Sequence, residues 1–229
     1  MRFIVASIVI LSVLASLVLW PQIDLVVSGW FYRPEDRFFL GNVPLFDALH
    51  VAAHAGSRIL GFAALVLTAL AAGQRRPILG LDSKAWLFLF LGLLLGPGLV
   101  ANGIFKDHWG RARPRDITEF GGAMHFSPAL LPTDQCQRNC SFVSGDGAFG
   151  FYLPAIAYVV PPPRSRRYYW GGMGLGALFG LARLAAGAHF LSDNLFAAVF
   201  VQGVLALLYA FMFGKQELRR RWRDWMFLS

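Results

Sequence analysis

The chain has 229 residues, of which 56% are hydrophobic and 15% are charged, and its mean hydropathy is +0.53. Soluble domains carry about 25% charged residues, so this composition argues against a soluble enzyme and indicates a single membrane-embedded domain over residues 1–229. The formal net charge of +8 is a weak argument for nucleic-acid binding, because no soluble domain is available to present the charge.

Six apolar stretches approach the length of about 20 residues that a helix needs to cross a bilayer. They cover residues 3–20, 57–73, 85–104, 147–161, 168–188 and 194–213. We therefore predict an all-α polytopic protein, a bundle of six transmembrane helices. The first stretch is too long for the apolar core of a signal peptide, and Leu19-Trp20-Pro21-Gln22 is a poor cleavage site, so we expect a retained helix.

The distribution of lysine and arginine predicts the orientation of this bundle. Six spans place both termini and two short loops on one side, and those segments hold 12 of the 21 basic residues. The positive-inside rule makes that side cytoplasmic. The other side carries two longer loops, residues 21–56 and 105–143; we expect the second to form a cap. In the first, Phe46–His54 is amphipathic and is interpreted as a helix lying flat at the membrane interface.

Three polar clusters stand at the ends of these stretches, all on the predicted outer side. They contain Lys106 and Arg113, then Ser144, Gly145 and Asp146, then Arg183, His189 and Asp193. Cations hold an anion, a histidine can attack it, and a carboxylate can orient the histidine. The clusters therefore predict a phosphate-cleaving site at the outer membrane surface.

His189 and Asp193 are four residues apart and would share one helix face. Asp193 would then accept a hydrogen bond from one ring nitrogen and leave the other free to attack. Arg183 lies nearly two helical turns earlier and would reach the same pocket. The alternative is three interfacial side chains that extend to water, but ionisable groups at membrane depth are usually functional.

Lys106 and Arg113 are seven residues apart, so they would also share a helix face, and two such cations suit a doubly charged phosphate. The alternative is a basic stop after the third span. Arg111 and Arg115 are interpreted as solvated or as contacts to lipid head groups. Ser144 and Gly145 would offer a hydroxyl and an amide to an anion, although a helix N-cap explains them equally well.

Two cysteines, Cys136 and Cys140, lie in the predicted cap. A pair cannot form a four-thiolate zinc site. An oxidising compartment would favour a small disulfide between them, and two free thiols are the alternative.

Taken in order, Lys106-x6-Arg113-Pro, Ser144-Gly145-Asp146 and Arg183-x5-His189-x3-Asp193 resemble the motifs of the type-2 phosphatidic acid phosphatase superfamily. The resemblance implies a membrane lipid phosphatase in which His189 forms a phosphohistidine and Asp193 orients it. It implies that Lys106, Arg113 and Arg183 bind the phosphoryl oxygens, assisted by Ser144 and the Gly145 amide. It implies no metal and no other cofactor. We expect a bacterial inner membrane, with the site facing the periplasm.

Two positions depart from the motifs. Ala182 replaces a serine, which is a minor change, whereas Asp146 replaces the histidine that protonates the leaving oxygen in the family. An aspartate among cations is expected to be ionised and therefore a poor acid. Either burial keeps Asp146 protonated, or His125 or His108 replaces it, or the leaving group needs little protonation, as in a lipid diphosphate and, to an intermediate degree, a sugar 1-phosphate.

The predicted activity is hydrolysis of a phosphomonoester or diphosphate on a lipid head group. Candidate substrates are a lipid A-type sugar phosphate, undecaprenyl diphosphate, phosphatidylglycerol phosphate and phosphatidic acid. A phosphotransferase that passes the group to a second lipid would use the same residues. A lapsed, lipid-binding protein is disfavoured because the histidine and all three cations are retained, and a transporter because the central spans lack ionisable residues. The oligomeric state is left open.

Overall fold

The computed structural model describes the backbone of residues 2–226 and the side chains of residues 8–226, except that of residue 10. Its regular structure is almost entirely helical, so the predicted all-α class is confirmed; the short ribbon β1–β2 joins α2 to α3. The side chain of Arg2, used above for orientation, lies outside the described ones. The elements are α1 (Arg2–Leu19), α2 (Gln22–Gly29), β1 (Tyr32–Arg33), β2 (Arg37–Phe38), α3 (Pro44–Gln74), α4 (Ser83–Leu93), α5 (Gly145–Tyr152), α6 (Ala155–Val159), α7 (Arg164–Ala185), α8 (Leu191–Phe213) and α9 (Lys215–Met226).

The long helix α3 differs from the predicted arrangement of a span and a separate interfacial helix. It runs unbroken for 31 residues from Pro44, which occupies its first turn, where a missing N–H costs nothing. No residue between Phe46–His54 and the apolar stretch interrupts the helix. The histidines of that segment, His50 and His54, therefore lie on the first turns of a membrane-spanning helix.

The third apolar stretch begins as α4, whose N-terminus is capped by Asp82 through a 2.8 Å hydrogen bond from the Ala85 N–H. It continues as a π-helical segment, Leu94–Lys106, which contains Pro97. A proline inside a helix removes a backbone donor, and wider turns accommodate it. The helix ends at Lys106 and Arg113 is extended, so the expected shared helix face of these two residues was wrong.

The fourth apolar stretch is split into α5 and α6 around Pro154. Helix α5 packs closely on α7 because both present glycines: a Cβ on Gly150 would lie 2.7 Å from the Cα of Gly176. Small residues of this kind let helix backbones approach each other in membranes.

Helices occupy all six predicted stretches, but among the described residues three helices are long and apolar enough by themselves to cross a membrane. These are Pro44–Gln74, Ser83–Lys106 and Leu191–Phe213. A fourth crossing results if Leu11–Leu19 and Gln22–Gly29, which meet at 92°, count as one broken span.

One end of the bundle collects the predicted site residues. It is formed by the N-termini of α3, α5 and α8 and by the C-termini of the π-helical segment and α7. The segment between Lys106 and Gly145 covers this end; its apolar residues Ile117 and Phe120 pack with Phe38 and Phe190. A disulfide joins Cys136 to Cys140 within this cap.

Candidate active site

A polar cavity of about 590 Å³ opens at this end of the bundle. It brings together five of the predicted site residues from three different parts of the chain. Its lining consists of Asp47, His50, His54, Asn102, Lys106, Asp107, Arg113, Arg115, Asn139, Asp146, Arg183 and His189. Ser144, Gly145 and Asp193 lie behind that surface.

His189 sits in the turn between α7 and α8 and is only 2% exposed. Its Nδ1 is 2.7 Å from the Ser141 carbonyl oxygen and 3.7 Å from Asp193 Oδ2. The Ser141 carbonyl therefore makes the orienting contact that we expected from Asp193, and Nε2 is left for the cavity. Burial lowers the pKa of His189 to about 4, so the ring is neutral and nucleophilic at physiological pH.

Asp193 holds the turn that carries His189. Its Oδ2 accepts hydrogen bonds from the Phe190 N–H at 2.8 Å and from Ser141 Oγ at 2.5 Å. The first of these caps the N-terminus of α8, where a carboxylate also interacts favourably with the helix dipole. Asp193 thus positions His189 indirectly, through Ser141 and the backbone.

Arg111 corrects the prediction of a solvated or head-group-binding side chain. It is fully buried and pairs with Asp193 at 2.5 Å and with Asp24 of α2 at 2.8 Å. Its guanidinium also lies 4.2 Å from the centre of the Phe190 ring, a favourable cation–π geometry. Asp24 further accepts a hydrogen bond from the Ser192 N–H at 2.9 Å. This buried network, absent from the sequence interpretation, ties α2 and the cap to the start of α8.

The three predicted phosphate-binding cations, Lys106, Arg113 and Arg183, all line the cavity. Arg113 is aimed by the disulfide loop: its Nη2 donates to the carbonyl oxygen of Asn139 at 2.8 Å and to Asn139 Oδ1 at 2.9 Å. Burial, together with Arg115 and Arg183, lowers the pKa of Arg113 to about 10. The guanidinium therefore remains charged at neutral pH and can bind a phosphate.

Ser144 and Gly145 form the start of α5, directly beside Lys106. Ser144 is buried, and its Oγ accepts the Gly147 N–H at 3.1 Å, which is the N-cap arrangement of the two alternatives considered. A Cβ on Gly145 would lie 2.9 Å from Lys106 Nζ and 3.1 Å from Asn102 Oδ1. The absence of a side chain at Gly145 therefore lets the ammonium group approach the helix N-terminus.

Asp146 lines the cavity together with two histidines that the sequence interpretation missed. Its Oδ2 is 2.7 Å from His50 Nδ1 and 3.3 Å from Arg183 Nε, and its Oδ1 is 3.7 Å from His54 Nε2. The suggested replacement acids, His108 and His125, are exposed and do not line the cavity.

His50, His54 and Asp146 also form the one group among the described residues whose donor atoms, all within 4.8 Å of one another, could hold a metal ion. The carboxylate of this group faces the Arg183 guanidinium as well, and a positive charge at that distance opposes a divalent cation. The expectation that the site needs no metal stays a prediction.

Comparison with known proteins identifies the class to which this fold and cavity belong. Residues 85–217 match the family model of the PAP2 superfamily, and the chain therefore belongs to that superfamily, which confirms the predicted resemblance.

Three lipid A 4′-phosphatases are similar to the chain. The protein of Francisella tularensis subsp. novicida is 32% identical over 207 residues, which cover 87% of this chain and 90% of the relative. That of Rhizobium leguminosarum is 39% identical and covers 55% and 54%, and that of Rhizobium etli is 44% identical and covers 44% and 39%. No solved structure matches significantly.

Proposed function

We propose that the protein removes the 4′-phosphate from a lipid A-type glycolipid at the extracytoplasmic face of the bacterial inner membrane. The observation that carries the proposal is one polar cavity in which a neutral, buried histidine faces three cations. The likeness to lipid A 4′-phosphatases, which extends over most of the chain, supports the choice of substrate.

The broader enzymatic class, a phosphatase that acts on a lipid phosphate, is indicated by the superfamily and by the names of the relatives. The cavity has the charges that this reaction needs. A phosphate monoester carries nearly two negative charges, and Lys106, Arg113 and Arg183 place three positive charges around the space in front of His189. Fixed cations of this kind stabilise the charge on the transferring phosphoryl group.

The proposed reaction has two steps. His189 Nε2 attacks phosphorus, the bond to the sugar oxygen breaks, and a phosphohistidine forms. Water then attacks the same phosphorus and releases inorganic phosphate, which regenerates the neutral ring. The Ser141 carbonyl holds Nδ1 and so keeps Nε2 directed at phosphorus in both steps.

The proposed topology has six membrane crossings, and both termini lie in the cytoplasm. The cavity lies at one end of the helices, whereas the basic segments 75–84, 164–167 and 215–223 lie at the other end. The positive-inside rule then places the cavity outside the cytoplasm. The α5–α6 pair is short and α7 is polar. Both would cross the membrane shielded by neighbouring helices, because most of α5 and one face of α7 are buried.

Phosphate release by the purified protein in detergent tests the proposal. The panel contains lipid A with both phosphates, lipid A with only the 1-phosphate or only the 4′-phosphate, phosphatidic acid, phosphatidylglycerol phosphate and undecaprenyl diphosphate. We expect release from the two species that carry a 4′-phosphate and loss of at least about 10⁴-fold in His189→Ala, because the nucleophile is gone.

The exposed His125 provides the matched control, and His125→Ala should retain wild-type turnover. Preference for the 1-phosphate or for a glycerophospholipid would contradict the substrate assignment. A phosphorylated acceptor lipid in place of free phosphate would show a phosphotransferase. Full activity of His189→Ala would overturn the site itself.

A further inference from the structure

The leaving group of the proposed reaction poses a problem that the nucleophile and the cations do not solve. When the phosphate of a sugar ring hydroxyl is transferred, the sugar oxygen leaves as an alkoxide, which is a poor leaving group unless it is protonated in the transition state. His189 forms the new bond to phosphorus and so cannot supply that proton. A second proton donor must therefore face the same cavity.

We propose that His50 is the general acid and base of this phosphatase, and that Asp146 positions it. The proposal rests on the function proposed above. His50 Nδ1 lies 2.7 Å from Asp146 Oδ2, so the carboxylate accepts the Nδ1 hydrogen. The acid form of His50 is the imidazolium, in which the other ring nitrogen, Nε2, carries the transferable proton, and the side chain lines the same cavity as His189.

The burial of Asp146 and His50 distinguishes their roles. The side chain of Asp146 is 6% exposed and lies beside nitrogen atoms of both His50 and Arg183, a placement that suits a hydrogen-bond acceptor. The side chain of His50 is 39% exposed, so its ring can reach both substrate and water. This accessibility is what an acid needs when it must later act as a base.

His54 stands beside His50 in a supporting position. The two rings are four residues apart on α3 and meet edge to face, with centroids 4.6 Å apart. His54 Nε2 is 3.7 Å from Asp146 Oδ1, which is beyond hydrogen-bond length. The shorter and better defined contact to Asp146 selects His50 as the proton donor.

The proton balance closes over the two steps. When the bond between phosphorus and the sugar oxygen breaks, the oxygen takes the proton from His50 Nε2 and leaves as an alcohol. When water attacks the phosphohistidine, His50 Nε2 accepts a proton from that water, and the product is inorganic phosphate. Both histidines return to their initial states without another reactant.

The ionisable groups around His50 come from every element packed on this side of the cavity. Helix α3 contributes Asp47, His54 and Arg58, α5 contributes Asp146, α7 contributes Arg183, and the cap and the π-helical segment contribute Lys106, Asp107 and Arg115. Negative and positive groups both surround the ring, so the pH profile of the variant must be compared with that of the wild type under identical salt.

A pair of substrates that differ in leaving group tests the role of His50. 4-Nitrophenyl phosphate releases a stabilised phenolate and needs little protonation, whereas the lipid 4′-phosphate releases an alkoxide. We expect His50→Ala to lower the single-turnover rate of leaving-group release from the lipid by about 10²–10⁴-fold, the usual contribution of an acid catalyst, and to lower that from 4-nitrophenyl phosphate by less than about 10-fold. The pH profile of leaving-group release from the lipid should change shape in the variant.

Asp146→Asn is a second variant that changes no volume. It removes the negative partner of His50, so the same dependence on leaving group should appear in weaker form. His125→Ala, an exposed histidine outside the cavity, is the matched control and should leave both substrates unaffected. Thermal unfolding in detergent verifies that each variant is folded.

Three results would overturn the proposal. Equal losses on both substrates would make His50 a binding or structural residue. A larger loss on the lipid than on 4-nitrophenyl phosphate in His54→Ala, but not in His50→Ala, would identify His54 as the acid. Inhibition of the wild type by a chelator, reversed by a zinc or manganese salt alone, would show a metal site in place of a proton donor. Absence of wild-type phosphate release from lipid A would instead contradict the proposed function, so the two failures remain distinct.

Discussion

Two sides of the cavity hold their ionisable side chains in different ways. On the nucleophile side, His189, Asp193 and Arg111 are at most 2% exposed, and each has a partner within 2.8 Å. On the opposite side, the His50 and His54 side chains are 39% and 54% exposed around one buried carboxylate. In the proposed mechanism, the attacking atom is therefore held by a rigid interior, whereas proton exchange falls to groups that water can reach.

Removal of the buried cation Arg111 from the nucleophile side should cause the largest loss of stability and activity. Arg111→Met leaves Asp24 and Asp193 without their shared partner, and an uncompensated buried charge costs about 3–5 kcal/mol. We expect a large fall in the thermal unfolding temperature in detergent, together with loss of phosphatase activity. Arg138→Met, at an exposed arginine of the cap, is the matched control. Similar unfolding temperatures for the two variants would show that the network does not stabilise the fold.

Acidification should lower the stability of the fold through the nucleophile side. The pKa of His189 is about 4 in the folded chain and 6.5 for an ordinary histidine, so between these values the unfolded chain binds more protons. Stability is therefore complete above pH 6.5 and falls as pH drops toward 4, by about 3 kcal/mol for this group. Unfolding temperatures measured from pH 7 to pH 4 should fall more steeply for the wild type than for His189→Ala. Parallel slopes would contradict the buried, neutral state of His189.

The smallest expected effect concerns the contact between α5 and Lys106. A methyl group in Gly145→Ala would lie 2.9 Å from Lys106 Nζ and would push the ammonium away from the phosphate. A misplacement of about 1 Å can cost up to about 10²-fold, and we expect kcat/KM to fall about 10-fold because the lysine is flexible. Gly171→Ala, where a Cβ has open space, should have no effect. An unchanged kcat/KM in Gly145→Ala would mean that Lys106 need not approach the helix.

The sequence was sufficient to predict the helical class and the meeting of Lys106, Arg113, Arg183 and His189, because short motifs at helix ends share one end of a bundle. It was insufficient for Arg111, whose partner Asp24 lies 87 residues away in the sequence. The hydrophobic pattern alone does not show which of several arginines becomes buried.

His50 and His54 were missed for a different reason. Their spacing of four residues was a usable signal, since it places both rings on one helix face, but the amphipathic pattern around them is also typical of an interfacial helix. Only the unbroken course of α3 brings that face to Asp146. Asp146, which replaces the histidine of the family motif, therefore lies next to a histidine from another helix.

Trapping of the phosphorylated enzyme tests directly whether His189 is the nucleophile. Lipid A labelled with ³²P at the 4′-position is mixed with the protein for milliseconds and quenched in alkali, in which phosphohistidine persists and acyl phosphates do not. The account predicts an alkali-stable, acid-labile label that maps to His189 and is absent from His189→Ala. A label on another residue would contradict this prediction. Equal labelling of His189→Ala and the wild type would contradict it as well.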